Sequence, residues 1–191
     1  MQIYIEGLPG IGKTELAKRI HSELGMENIY LENIEVESIK NLQKQTDDEY
    51  ALESQLIFLN SKLKQQSIVK DNSVLDYELL LKTKTFASHF LNKSQQELIS
   101  DFLSYSNYQP NKKSIYIFLK AENLIVLERI KKRGRKYERN YSIDFLESLE
   151  NYYNEHIKCS QNNWQIINYN DFEIGFKDVK KIINEYYGQN N

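Results

Sequence analysis

Short apolar runs alternate with helical stripes along the whole chain. Gln2 to Glu6 has the unbroken apolar character of a buried strand. From Lys13 to Leu24, Leu16, Ala17, Ile20 and Leu24 recur at helical spacing, and Gly25 supplies a stop. Asn28 to Leu31 predicts a second strand. Tyr50 to Gln65 predicts a long amphipathic helix, with Leu52, Leu56, Leu59 and Leu63 on one stripe. Ser67 to Lys70 predicts a third strand ending at Asp71, and Val74 to Leu91 a helix. Gln95 to Tyr105 predicts another helix, with Leu98, Phe102 and Tyr105 on its apolar side. A loop around Pro110 precedes the clearest strand, Ser114 to Leu119. Helices over Leu124 to Lys132 and Ile143 to Ile157, a strand over Gln165 to Asn168 and a helix over Val179 to Tyr187 complete the pattern.

Five short strands separated by helices predict an α/β domain, a parallel sheet covered by helices on both faces. Such sheets bind ligands beyond the carboxyl ends of their strands. Residues 1–191 read as one domain, with no internal repeat and no low-complexity linker. Hydrophobic residues make up 40% and charged residues 27% of the chain, the mix of a globular protein with one core. The net charge of -2 argues against a dedicated nucleic-acid binder. No apolar run approaches the roughly 20 residues of a membrane span, and no secretory signal is expected. Cys159 is the only cysteine, which excludes an internal disulfide and fits a reducing, cytoplasmic setting.

The sharpest chemical signal is Gly7-Leu8-Pro9-Gly10-Ile11-Gly12-Lys13-Thr14, which matches G-x-x-x-x-G-K-[ST]. The glycines allow a backbone nest whose N–H groups face an anion, and the following helix adds its positive end. Lys13 reaches β- and γ-phosphates, and the Thr14 hydroxyl ligates magnesium. The alternative is a chance glycine-rich turn, but the motif has the required apolar strand before it and amphipathic helix after it. ATP and Mg2+ are the expected ligands. No Asn-Lys-x-Asp guanine motif is present.

Glu32 follows the second predicted strand, where a carboxylate can take a proton from a substrate hydroxyl; it can equally be a solvated acid beside Glu35 and Glu37. Asp71 is expected to end the third strand, near magnesium, unless Asp71-Asn72-Ser73 is simply a turn and helix cap. Arg129, Arg133 and Arg135 lie in the cation-dense stretch Glu128 to Glu138. That stretch suits a lid, over about 131–141, offering Arg forks to a transferring phosphoryl group. A cationic last turn complementing the helix dipole, or a nucleic-acid patch, is the competing reading.

Four blocks resemble the deoxynucleoside kinase family, especially its bacterial deoxyadenosine and deoxyguanosine kinase branch: Tyr4 to Thr14, Tyr50 to Lys62, Asp71 to Tyr77, and Leu127 to Glu138 continuing over Asp144 to Leu149. The resemblance implies a P-loop kinase that phosphorylates a deoxynucleoside at its 5′-hydroxyl with ATP. It implies Glu32 as the base, Gln55 and Lys62 at the nucleobase, and Asp71 and Asn72 in the motif beside the substrate. It implies Glu138 on the sugar 3′-hydroxyl, and Asn170, Asp171 and Phe172 as the loop around the adenine of ATP. It also implies a homodimer built on helices 50–65 and 74–91.

The chain departs from the family pattern at several of these positions. The family's Arg after the third strand aligns with Asn72, and its base-reading Arg with Lys62. Tyr77 stands where an acid often follows, with Asp76 adjacent; Lys44 replaces a tyrosine and Asn33 a proline. Alternative readings are a P-loop kinase of another small acceptor, such as a nucleoside monophosphate, and a non-catalytic ATP-binding member.

Overall fold

The computed structural model describes residues 1–32, 48–106, 108, 109 and 113–190. Asn33, Glu35, Glu37 and Lys44 lie outside the described residues. The elements are β1 (Gln2–Gly7), α1 (Lys13–Glu23), β2 (Asn28–Tyr30), α2 (Asp48–Gln66), β3 (Ser73–Leu75), α3 (Leu79–Phe90), α4 (Lys93–Tyr105), β4 (Ser114–Lys120), α5 (Asn123–Arg133), α6 (Ile143–Lys158), β5 (Trp164–Asn168) and α7 (Phe172–Asn190). A single 3-10 turn, Lys136–Glu138, joins α5 to α6.

All four strand pairings are parallel, and the five-stranded sheet has the order β2-β3-β1-β4-β5. The expected α/β sheet is therefore present. Central β1 is buried at every position, as a strand covered on both faces must be. Ile3, Ile5, Val74, Ile117 and Leu119 form the middle of the core, with Leu16, Ala17 and Ile20 of α1 packed against it. A second cluster, with Leu59, Leu79, Ala87, Ile99 and Leu103, joins α2, α3 and α4 beside the sheet. No helix among the described residues is long and apolar enough to cross a membrane.

Two sequence expectations fail here for local reasons. Ser67 to Lys70 is not a strand, because the chain leaves α2 through turns in which Ile68 N–H donates to Gln65 O and Val69 N–H to Gln66 O. Asn72 then takes a positive φ of 54° and β3 begins at Ser73. Val74 and Leu75, expected to open a helix, instead pair with Ile3 and Tyr4 of β1. Helix α3 starts at Leu79, where the Glu78 carboxylate accepts from Leu80 and Leu81 N–H as an N-cap. The α4 stripe is also reversed. Ile99 and Leu103 face inward, whereas Leu98, Phe102 and Tyr105 are exposed.

Burial pushes the Glu78 carboxyl up from 4.5 to about 7, against the pull of the Leu81 and Leu80 amides. The native state then keeps a proton that the unfolded chain releases above its own pKa. This contribution is full below about pH 4.5 and is lost as pH rises through about 7, a loss of roughly 3 kcal/mol for a shift of that size. Denaturant unfolding at pH 5 and pH 8 should show the decline in the parent. Glu78→Gln should flatten it, and an unchanged slope in that variant would refute the assignment.

Candidate active site

The carboxyl ends of β1, β2 and β3 meet at one cavity of about 570 Å³. Its walls include Gly7, Gly10, Gly12, Lys13 and Thr14 at one end and Gln55, Phe58, Lys62, Tyr77 and Phe86 at the other. Glu32, Asp76 and Lys82 also line it.

The phosphate loop joins β1 directly to α1, as its motif requires. Gly10 has φ +81°, and a Cβ there would lie 2.3 Å from Ile130, so no other residue fits without moving α5. Gly12 has φ +115° and sits against Phe172 and Tyr169. The Lys13 ammonium bends back over the loop, donating to Gly7 O at 2.7 Å and Leu8 O at 3.0 Å. Burial lowers its pKa to about 8, only partly offset by Glu6. A triphosphate in the loop would draw the ammonium away from these carbonyls and favour its charged form.

Thr14 Oγ1 donates to Asp76 Oδ2 at 2.6 Å, and Asp76 Oδ1 accepts from Glu32 N–H at 2.6 Å. Asp76 therefore ties the start of α1 to the end of β2. Together Thr14 and Asp76 offer hard oxygen ligands beside the phosphate loop. That suits magnesium, which keeps several waters and uses one or two carboxylates plus substrate phosphates. Among the described residues no cluster of three or more acidic, His or Cys side chains could hold a metal alone. The donor set fits a metal delivered with its nucleotide.

Asp71 does not belong to this set. Its expected place rested on a strand ending at Lys70, but β3 runs from Ser73 to Leu75. Asp71 and Asn72 precede that strand, where the Asp71 carbonyl accepts from the Asn28 amide and the Asn72 carbonyl from Glu27 and Asn28 N–H. They lie at the far end of β3 from the cavity. In the observed register Asp76-Tyr77, not Asp71-Asn72, follows the third strand.

Glu32 is held between two ammonium groups, Lys62 at 2.9 Å and Lys82 on its other oxygen. Burial works to raise its pKa, but Lys62 and Lys82 outweigh it and hold the carboxyl well below the usual range. Lys62 is nearly buried and lies 3.9 Å above the Tyr77 ring, a cation–π contact that fixes it further. Gln55 is also buried, and its Nε2 has no hydrogen-bond partner among the described residues.

The arginines divide by role. Arg129 donates to the carbonyls of Ile11, Tyr169 and Asn170 and stacks on Phe172 at 4.1 Å. Its guanidinium thus fastens the phosphate loop to the turn after β5. Arg133 makes a two-pronged contact with Glu138, at 3.1 and 2.5 Å, and Arg135 meets the Tyr137 hydroxyl at 2.9 Å. Glu138 is buried beside the cavity. The Asp171 carboxylate accepts from Glu173 and Ile174 N–H, so it caps α7, while Phe172 lines the cavity.

Sequence reasoning missed Lys82 altogether. It lies in the first turn of α3 among Leu81, Thr83 and Lys84, and only the packing of α3 aims it at Glu32. Asp76 had a usable signal, since it directly follows the apolar pair Val74-Leu75, but those residues were assigned to a helix.

A family model described as deoxynucleoside kinase matches residues 3–188. A deoxyguanosine kinase of Bacillus subtilis (strain 168) is 30% identical over 174 residues, covering 83% of this chain and 79% of that protein. A deoxyadenosine kinase of Dictyostelium discoideum is 28% identical over 167 residues, covering 82% of this chain and 66% of that protein. The fold matches a deoxyadenosine kinase from M. mycoides with bound dCTP, with TM-score 0.80 and 22% identity over 97% of this chain and 100% of the other. The same M. mycoides enzyme with bound dATP aligns with TM-score 0.75 over 96% of this chain and 99% of the other. The matched span runs from the first strand into the last helix, so the chain belongs to the deoxynucleoside kinase family and is an ATP-dependent phosphotransferase with a deoxynucleoside acceptor.

Proposed function

We propose that the protein transfers the γ-phosphoryl group of ATP to the 5′-hydroxyl of a deoxynucleoside, giving the 5′-monophosphate for nucleotide salvage. The observation that carries this reading is the buried Gln55 amide in the same cavity as the phosphate loop and Glu32. Its Nε2 lacks a partner among the described residues, and an unmet buried donor costs about 1–3 kcal/mol. A nucleobase edge supplies the missing acceptor, and the adjacent Gln oxygen can take a base N–H.

In this scheme the backbone of Gly7 to Gly12 and the Lys13 ammonium hold the phosphates, with Ile11 contributing its amide. Thr14 and Asp76 hold magnesium, which neutralises charge on the β- and γ-phosphates. Phe172, backed by Arg129, forms a wall for the ATP base. Glu32 accepts the hydroxyl proton, and Glu138 holds the sugar 3′-hydroxyl. Arg133 and Arg135, on the lid over about 131–141, meet the transferring phosphoryl group when ATP competes with Glu138 for them. An uncharged acceptor suits this end of the cavity better than a monophosphate, because the Lys62 ammonium is wedged against the Tyr77 ring and committed to Glu32.

The test is a panel of deoxynucleosides with labelled ATP, run on the parent and on Gln55→Leu. The variant should raise the nucleoside KM roughly ten- to hundredfold, the equivalent of one lost buried amide contact, and leave the ATP KM unchanged. Folded parent protein that phosphorylates no member of the panel would eliminate this reading.

A further inference from the structure

The cations around the cavity are unequally committed. Lys13 belongs to the phosphate loop, Arg129 is spent on backbone carbonyls, and Arg133 is forked onto Glu138. Lys62 is wedged against the Tyr77 ring, with its side chain 7% exposed. Lys82 is different. Its side chain is 19% exposed, and its nearest ring, Phe86, is 5.8 Å from the ammonium. It binds the acceptor-side acid, yet it also lies within electrostatic reach of the phosphate side. It lines the same cavity as Lys13, Thr14 and Asp76.

Glu32 with an ammonium on each oxygen is a stable ion pair and a weak base. It cannot serve a reacting hydroxyl well until one partner leaves. We propose that Lys82 is a catalytic cation that moves from Glu32 to the transferring phosphoryl group when acceptor and ATP are both bound. This rests on the phosphotransferase reading above. In the step itself, an oxygen lone pair of the acceptor hydroxyl forms the new O–P bond. The bond from the γ-phosphorus to the bridging oxygen breaks, with its electron pair leaving on ADP. The hydroxyl proton passes to Glu32, and Lys82 stays protonated throughout. One movement thus frees the base and brings positive charge to the three equatorial oxygens, where charge is spread in the transition state. It also gives the site a mobile cation beside Tyr77, which carries none.

The experiment measures binding of ADP with magnesium and fluoroaluminate, a planar phosphoryl mimic, by titration calorimetry in the presence of each deoxynucleoside of the panel, in the parent, Lys82→Met and Lys82→Arg. Lys82→Met should bind ADP within about threefold of the parent and lose about 100-fold in affinity for the fluoroaluminate complex, the scale of one preorganised charge contact. Lys82→Arg should recover most of that loss, because the charge is kept. With turnover, Lys82→Met should lower kcat by a similar factor with little change in ATP KM. Fluoroaluminate binding in Lys82→Met equal to the parent would overturn the proposal, as would an effect confined to nucleoside KM. If the parent phosphorylates no deoxynucleoside but Lys82→Met still loses the complex, the acceptor assignment fails and the role of Lys82 stands.

Discussion

Lys13→Ala is expected to lower kcat by about 10³ or more while the protein remains folded, the scale at which cations act on transferring phosphoryl groups. The ammonium now donates to Gly7 and Leu8 carbonyls, contacts that an empty loop can replace with water. The core does not depend on it, because α1 is anchored by the buried side chains of Leu16, Ala17 and Ile20 rather than by the ammonium. The catalytic dependence is much larger than the structural one. Phosphoryl transfer offers the protein little covalent chemistry, so positioning and charge supply most of the acceleration. Lys13 is the one cation whose backbone sits at the junction of the phosphate loop and α1, where the helix end already favours anions. A coupled ADP-release assay alongside a thermal melt measures both quantities. Turnover within tenfold of the parent in a folded variant would show that the loop does not hold the reacting phosphates.

The parts legible in the sequence are those that local chemistry dictates. The phosphate loop is bound by sterics: glycine is demanded by the positive φ of Gly10 and Gly12 and by the side chains of Ile130 and Phe172. The alternation of apolar runs and stripes was enough for the parallel α/β sheet, since strands buried on both faces must be continuously apolar. The third strand was not legible. A three-residue strand has no period to read, and Val74-Leu75 serves a helix face as well as a sheet. That one shift moved the acid beside the phosphate loop from Asp76 to Asp71. The reversed face of α4 has a related cause, because Leu98, Phe102 and Tyr105 form as good a stripe as Ile99 and Leu103, and only packing chooses between them. Lys82 carried no sequence signal. Its meaning comes from a carboxylate 50 positions away.

Glu32→Gln carries the second large expectation, a fall in kcat of about 10² to 10⁴ with ATP affinity unchanged, the usual range for losing a positioned base. The substitution keeps the shape, so the Glu32 backbone N–H can still donate to Asp76 and the Thr14 to Asp76 contact survives. What it removes is the negative charge between Lys62 and Lys82 and the site that receives a proton. The same change exposes the cost of the arrangement. Burial already lowers the Lys62 pKa, and Glu32 is the main influence opposing it. Without that carboxylate the buried ammonium has no counter-charge at 2.9 Å, so the variant should melt earlier than the parent. The deficit should be larger at low pH, where Lys62 is forced to stay charged, and smaller as rising pH lets it deprotonate. Catalytic loss together with this pH-dependent melt identifies an acid that is both base and counter-ion. A Gln variant with parental kcat would remove Glu32 from the chemistry and leave it as a structural ion pair alone.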